Sequence, residues 1–501
     1  MNEVMTTLFQ GSKIAYISQV LVIFALFLIG HIFVQLIRDR ISGIWTALLS
    51  YPVGLAFYAL SGYTLLLVGI RFEVMTILIF MGLVMILLGI IRIKRGKSLS
   101  DFDVRTFVLS GLAAFLIALI AASGLLPVAV SNDSVYYYST YPAILTSEKF
   151  YVSTLDSFLS NVGQTTAVVN CLPFLFGFDE TFGIQWFLNI NFVLIFFEAC
   201  REEAQRRNIT AKMAAAAAVL SALVLATSEP FLGTAVWVLS NAYFMEYFFV
   251  AFYLAVKMAE EDTETSDYLV IQALFVGMIS MLRMEGGVIM TVFTVLISVY
   301  KTERKKLLLT YCLPLFLTVA GYYMMFFGRM GIDPLYSFLD WKKAAMMIAM
   351  VAGLVVYVAV IRRFVPGDYI PTLLVALLLL GNAGIFVISR ERYVTDVKAF
   401  ILNVRQGNGW GIFGAVVLIL FIFTAVDFIK NKGKLSCVSA VVPVVILSSI
   451  AVCWARGGVL AIRMSDSGNR VMMQVAPLVV FVLYRYVLEI SGFRSIRRQD
   501  R

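Results

Sequence analysis

The chain has 501 residues, of which 61% are hydrophobic and only 14% charged, and its mean hydropathy is +0.90. A soluble protein of that length needs far more polar surface. The apolar runs of about 20 residues are continuous rather than alternating, which excludes a membrane barrel. The net charge of +9 comes without a soluble basic domain, so it reports membrane topology before it suggests nucleic acid.

In chain order the apolar runs predict spans near 15–37, 43–65, 73–93, 106–130, 182–200, 212–228 and 231–257. Two short runs, 268–282 and 285–300, precede further spans near 306–328, 344–361, 369–389, 411–428, 436–455 and 471–488. The run 163–177 is too short to cross and is expected to be re-entrant or interfacial. The expected fold is an all-α polytopic membrane protein with about 13–15 transmembrane helices and outer juxtamembrane helices. The short basic loops "RIKRGK", "REEAQRR", "KTERKK", "RR", "KNKGK" and the tail "RSIRRQDR" all fall on one side, which the positive-inside rule makes the cytoplasm. The N-terminus is then outside, and no signal peptide is expected because a basic start and a small-residue cleavage site are lacking.

Two features disturb this plain picture. The outward segment 131–162 mixes Tyr136, Tyr137, Tyr138, Tyr141 and Tyr151 with Ser, Thr, Asp and Lys. Such a mixture suits helices lying flat with their aromatic side down, although an ordinary aromatic belt explains the tyrosines equally well. The late outer loops are also basic against the rule. Residues 389–411 contribute Arg390, Arg392, Lys398 and Arg405, and residues 455–474 contribute Arg456, Arg463 and Arg470. Phosphate binding is one reason for such charge, since guanidinium forks match phosphate oxygens; a miscounted span is the other.

Ionisable residues inside the membrane are functional candidates by default. "SMLRMEGGVIM" sets Arg283 and Glu285 where the two short runs meet. Each run is about 15 residues, roughly 23 Å of helix against a bilayer core of about 30 Å, so the turn is expected to be recessed. A lining of a cavity and a structural Arg–Glu pair at a hairpin tip fit it equally. Asp133, in "SNDS", reads by local chemistry as a helix N-cap. Asp179 and Glu180 form a second outward acidic pair, read as a solvated loop or as facing a shared cavity. The five cysteines show no paired spacing, and the single histidine, His31, lies inside the first span. A disulfide framework, a multi-histidine metal site and a Ser-His-Asp arrangement are therefore not expected.

These motifs, in order, resemble the GT-C superfamily of integral membrane glycosyltransferases over roughly residues 106 to 490. The likeness rests on an Asp in the first outer loop followed by aromatics, and on "PFLFGFDETFGIQWFLNINFVLIFFEACREEAQRR" as a short turn followed by a span ending in basic residues. "SMLRMEGG" is similar to the family's Arg-Pro-Glu-Gly turn, with Met284 in place of Pro, and "NRVMMQVAPLVVF" matches at Arg470 and Pro477. The resemblance implies inverting transfer of a sugar from a polyprenyl-phosphate donor to a glycan or lipid-linked acceptor on the non-cytoplasmic face. In it Asp133 is the general base, and Arg390, Arg392, Arg405, Arg463 and Arg470 bind the donor phosphate. Arg283, Glu285, Asp179, Glu180 and Tyr137 line the cavity or support it. A divalent cation is possible in such a site, but Asn132-Asp133-Ser134 replaces the family's acidic pair and supplies no clear ligand set. The expected organisation is 1–105 as additional N-terminal spans, 106–490 as the catalytic module, and 491–501 as a basic cytoplasmic tail. The expected setting is a bacterial cell membrane, with cell-envelope glycan as the product and no nucleic acid as partner. The alternative from another class is a flippase or exporter of lipid-linked saccharides.

Overall fold

The structure is a computed structural model that describes residues 13–97, 103–130, 132–155, 162–178, 180–237, 240–260, 266–283, 285–299, 303–333, 341–405, 409–455 and 467–499. Its main elements in chain order are α1 (Lys13–Ile37), α2 (Gly43–Val68), α3 (Val74–Lys94), α4 (Val104–Ala121) and α5 (Phe182–Arg206). They continue with α6 (Ala211–Ala226), α7 (Glu229–Val236), α8 (Ser240–Glu260), α9 (Ser266–Leu282), α10 (Gly286–Ile297) and α11 (Arg304–Arg329). The last six are α12 (Trp341–Ala359), α13 (Ile370–Ile388), α14 (Arg390–Arg405), α15 (Ile412–Lys430), α16 (Cys437–Ala455) and α17 (Ser467–Gln499).

Among the described residues twelve helices are long and apolar enough to cross a membrane, or thirteen when α6 and α7, bent by 66°, count as one span. The chain is an all-α polytopic membrane protein. The count meets the lower edge of the expected range because α9 and α10 are shorter than a full crossing.

The helices sort from centre to rim by polarity. α8 is among the least apolar of the spans, yet 94% of its apolar window is buried, and α17 and α2 follow at 83% and 78%. α3, the most apolar, is only 11% buried. Polar side chains in a bilayer are tolerated when they face protein, so the polar helices take the middle and the oily ones the lipid.

Close packing at the α1–α2 crossing depends on two glycines. A Cβ on Gly30 would lie 1.8 Å from the Ser50 carbonyl oxygen, and one on Gly54 would lie 1.9 Å from that of Leu26. The two backbones therefore touch, as small residues allow in membrane bundles. Pro52 inside α2 has no N–H to give the Leu48 carbonyl, and Asn191 Nδ2 donates to that oxygen at 2.9 Å instead.

Charged contacts gather where successive helices should end together. Arg485 bridges Glu203 at 3.1 Å and Glu260 at 2.6 Å, while Arg206 reaches Glu260 and Arg207 reaches Glu489. Asp267 accepts the backbone N–H groups of Asp39, Arg40 and Ile41 at 3.0, 2.8 and 3.2 Å. We call this the basic end. The opposite, loop end holds the segment 122–181.

Three sequence expectations are corrected here. The span expected at 106–130 stops at Ala121, where Ser123, Gly124 in a left-handed conformation and Pro127 end the helix. Ala122 to Val130 is not a continuation of the span, and Ala129 donates its N–H to the Val236 carbonyl at 2.7 Å. The expected span 231–257 is instead the end of α7, a break at Trp237, and α8. Finally, of the two readings of the run 163–177 the interfacial one is corrected and the re-entrant one stands: it forms two short helices, Gln164–Asn170 and Leu172–Phe176, and every residue of the first is buried in protein.

Candidate active site

The segment carrying Asp133 is helical from Asn132 to Glu148, with a wider π turn over Tyr136–Thr140. π turns of this kind are frequent at functional sites, and two more occur among the described residues, at Leu308–Cys312 and Met324–Arg329. Because the helix begins at Asn132, Asp133 sits inside its first turn and not at the cap; the side chain of Asp133 lies outside the described atoms, as does all of Ser131. The aromatic side of this helix is packed against protein at Tyr138, while Tyr137 and Tyr141 stay partly exposed. Tyr138 is buried at 3% exposure, and Tyr137 is half-buried with its ring 5.8 Å from that of Tyr141.

A hydrogen-bonded chain joins this helix to the Arg-x-Glu-Gly turn. The Ser240 N–H, at the start of α8, donates to the Tyr138 phenol oxygen at 2.5 Å. One Arg283 nitrogen donates to Ser240 Oγ and to Asn241 Oδ1, both at 2.9 Å, while Nε donates to Glu285 Oε1 at 2.6 Å. Arg283 and Glu285 are both buried, so the turn is recessed as its short flanking helices required. Gly286 follows because a Cβ there would lie 2.1 Å from the Ile279 carbonyl oxygen, closing off the tight α9–α10 approach to any other residue. The hydrogen bonds show the Arg283–Glu285 bridge itself, and a bridged pair is compatible with a cavity wall.

Glu180 is tied to the same helix. Its two carboxylate oxygens accept from Ser139 Oγ at 3.0 and 3.3 Å, and its backbone oxygen accepts from Gln19 Nε2 at 2.6 Å. It is thus not a freely solvated loop residue; Asp179 lies outside the described residues. Below, Gln185 Nε2 gathers the carbonyls of Thr234, Ala235 and Trp237 at 3.2, 3.1 and 2.8 Å. The last turn of α7 is held there, at the break before α8.

Among the described residues the arginines of the late loops do not converge. Arg390 and Arg405 are exposed at opposite ends of α14, about 22 Å apart along its axis, so they address different places. Arg390 stands over the Phe386 ring at 5.8 Å. Arg392 turns the other way and donates to the Trp454 carbonyl at 2.8 Å, capping the end of α16. Arg463 lies outside the described residues, and of Arg470 only the helical backbone is described.

The sequence reading missed Glu246. It is a carboxyl two turns into α8, 3% exposed, and neither of its oxygens has a hydrogen-bond partner among the described residues. The signal was present as an acid inside the run 231–257, masked by the aromatics around it. Among the described residues no three His, Cys, Asp or Glu side chains come together as a metal site.

Comparison with family profiles, with curated proteins and with solved structures returned no match to this chain.

Proposed function

We propose that the protein is a membrane glycosyltransferase of the GT-C kind. It would take a sugar from a polyprenyl-phosphate carrier and pass it, with inversion, to a glycan or lipid-linked acceptor at the loop end. That end is then the non-cytoplasmic one, as the basic loops at the other end favour. The observation that carries the reading is the chain Tyr138–Ser240–Arg283–Glu285. It fastens the Asp133 helix to the buried Arg-x-Glu-Gly turn, linking two of the motifs behind the family resemblance. Preorganised support of this sort is what a general base needs, because its angle to the acceptor hydroxyl decides its efficiency. Asp133 accepts the hydroxyl proton as oxygen attacks the anomeric carbon, and the carrier phosphate leaves toward cationic side chains. Arg390, Arg405 and Arg470 are the candidates for that contact. The spread of Arg390 and Arg405 means that one phosphate uses one of them at a time.

The exporter reading draws on the bent α6–α7 pair, since transporters carry broken helices in matching halves. Only one such pair occurs among the described residues. The two readings separate in a sealed-vesicle assay with a radiolabelled polyprenyl-phosphate sugar. Transferase activity releases free carrier phosphate and labels an acceptor in detergent as well as in vesicles. Movement of intact donor across the bilayer without its cleavage would establish the exporter instead.

A further inference from the structure

The turn "KNKGK" between α15 and α16, at the basic end, borders a cleft of about 700 Å3 that also meets α8, α17 and the start of α13. Its charges do not balance. Of the three acidic side chains on its wall, Glu260 is held by Arg206 and Arg485, Glu489 by Arg207, and Asp368 by Lys434 at 3.4 Å. The nearby Asp427 is engaged by Asn431 and Ser439. Lys430 and Lys432 are exposed, and neither has an acidic partner among the described residues.

The backbone adds an independent observation. Lys432 has φ +53° and Gly433 φ +84°, two consecutive left-handed residues. Glycine or asparagine takes that conformation readily, whereas a lysine there costs about 1 kcal/mol of backbone strain. A lysine held at that backbone cost on a solvated turn motivates a functional reading of its side chain. The cleft is also lined by the apolar residues Val299, Leu435 and Val438. Cationic and hydrocarbon lining together, at the ends of membrane-crossing helices, describe the surroundings of a lipid headgroup.

We propose that this cleft binds the headgroup of an anionic phospholipid, its phosphate against Lys430 and Lys432 and its glycerol and first methylenes along Val299 and Leu435. Basic pockets between helix ends are suited to such headgroups, and each lysine near an anionic lipid contributes about fivefold in affinity. The site lies at the end remote from the Asp133 helix, so it does not depend on the proposed transfer reaction.

The test uses the full chain in detergent with added phosphatidylglycerol, read by native mass spectrometry as retained lipid and by thermal unfolding. Lys430→Gln with Lys432→Gln should weaken retention about thirtyfold and abolish the thermal shift that phosphatidylglycerol gives. A control pair, Lys94→Gln with Arg95→Gln, removes two exposed charges from another loop of the same end and should change neither. Equal weakening by both pairs would reduce the effect to general charge and overturn the site. So would equal protection by phosphatidylcholine, or by inorganic phosphate alone. Because both pairs lie on exposed turns, their unfolding midpoints without lipid should match the parent chain.

Discussion

At the residue scale, Tyr138 is the clearest case of one atom holding two elements together. Its oxygen is the acceptor for the Ser240 N–H, and Ser240 Oγ in turn receives Arg283. Tyr138→Phe keeps the ring in its buried place and removes the phenol O–H, so the buried Ser240 N–H loses its acceptor at a cost of about 1–3 kcal/mol. The expected result is faster amide hydrogen exchange across residues 132–148, with the rest of the bundle unchanged. Exchange as slow as in the parent chain would mean that the helix is held by its other contacts, Ser139 to Glu180 among them. Little of this was legible in the sequence. A row of tyrosines is compatible with lipid or with protein, and only the neighbours decide which. Arg392 shows the same limit: its composition and loop suggested a phosphate ligand, but the carbonyls at the end of α16, which it caps, come from a segment about 60 residues away.

At the element scale, the helices themselves were legible because apolar run length is a strong signal in a membrane protein. Their breaks were less so. α4 ends nine residues before its apolar run does, since Leu125, Leu126 and Val128 continue the hydropathy while Gly124 and Pro127 end the helix. α7 ends at its cap residue Trp237, which no hydropathy pattern distinguishes from the middle of a span. The α1–α2 crossing gives a direct test of packing. Gly30→Ala would force its methyl group into the Ser50 carbonyl, so the helices must separate and the thermal midpoint should drop by several degrees. Gly82→Ala in α3 meets nothing within 4 Å and should be neutral or slightly stabilising through helix propensity. Comparable losses in both would show that the crossing is looser than the backbone contact implies.

The loop-end turn between α2 and α3 offers a pH test at the same scale. Glu73 pairs with Lys149, which follows the helix Tyr141–Glu148, and Lys149 holds the Glu73 carboxyl below the ordinary glutamate value of 4.5, with Arg71 adding to the effect. A depressed carboxyl contributes its attachment fully above 4.5 and loses it as pH falls through the lower folded value. Amide exchange at Phe72, whose N–H is bonded to the Lys149 carbonyl at 3.0 Å, should therefore rise relative to the core only below about pH 4.5. Glu73→Gln should remove that pH step. An unchanged step in the variant would assign it to another group.

At the scale of the whole molecule, polarity is arranged from inside to outside and from end to end. α8 carries Ser240 and Asn241 at the loop end, Glu246 two turns in, and Lys257 at the basic end, where it meets Glu202 at 2.6 Å. One central helix thus touches the candidate active site, an intramembrane carboxyl unpaired among the described residues and the charged lock of the basic end. The sequence revealed the family-like motifs in their order along the chain, but not that α8 joins them, because its residues match no motif. The central claim is that the helix beginning at Asn132 presents Asp133 as the base for glycosyl transfer. The most direct measurement is transfer from a polyprenyl-phosphate sugar by purified Asp133→Asn protein, alongside equilibrium binding of the same donor. The account predicts that transfer falls at least about a hundredfold while donor affinity stays within a few-fold of the parent, as for loss of a general base. Transfer by the variant at the parent rate would contradict it and leave Asp133 a structural residue of its helix.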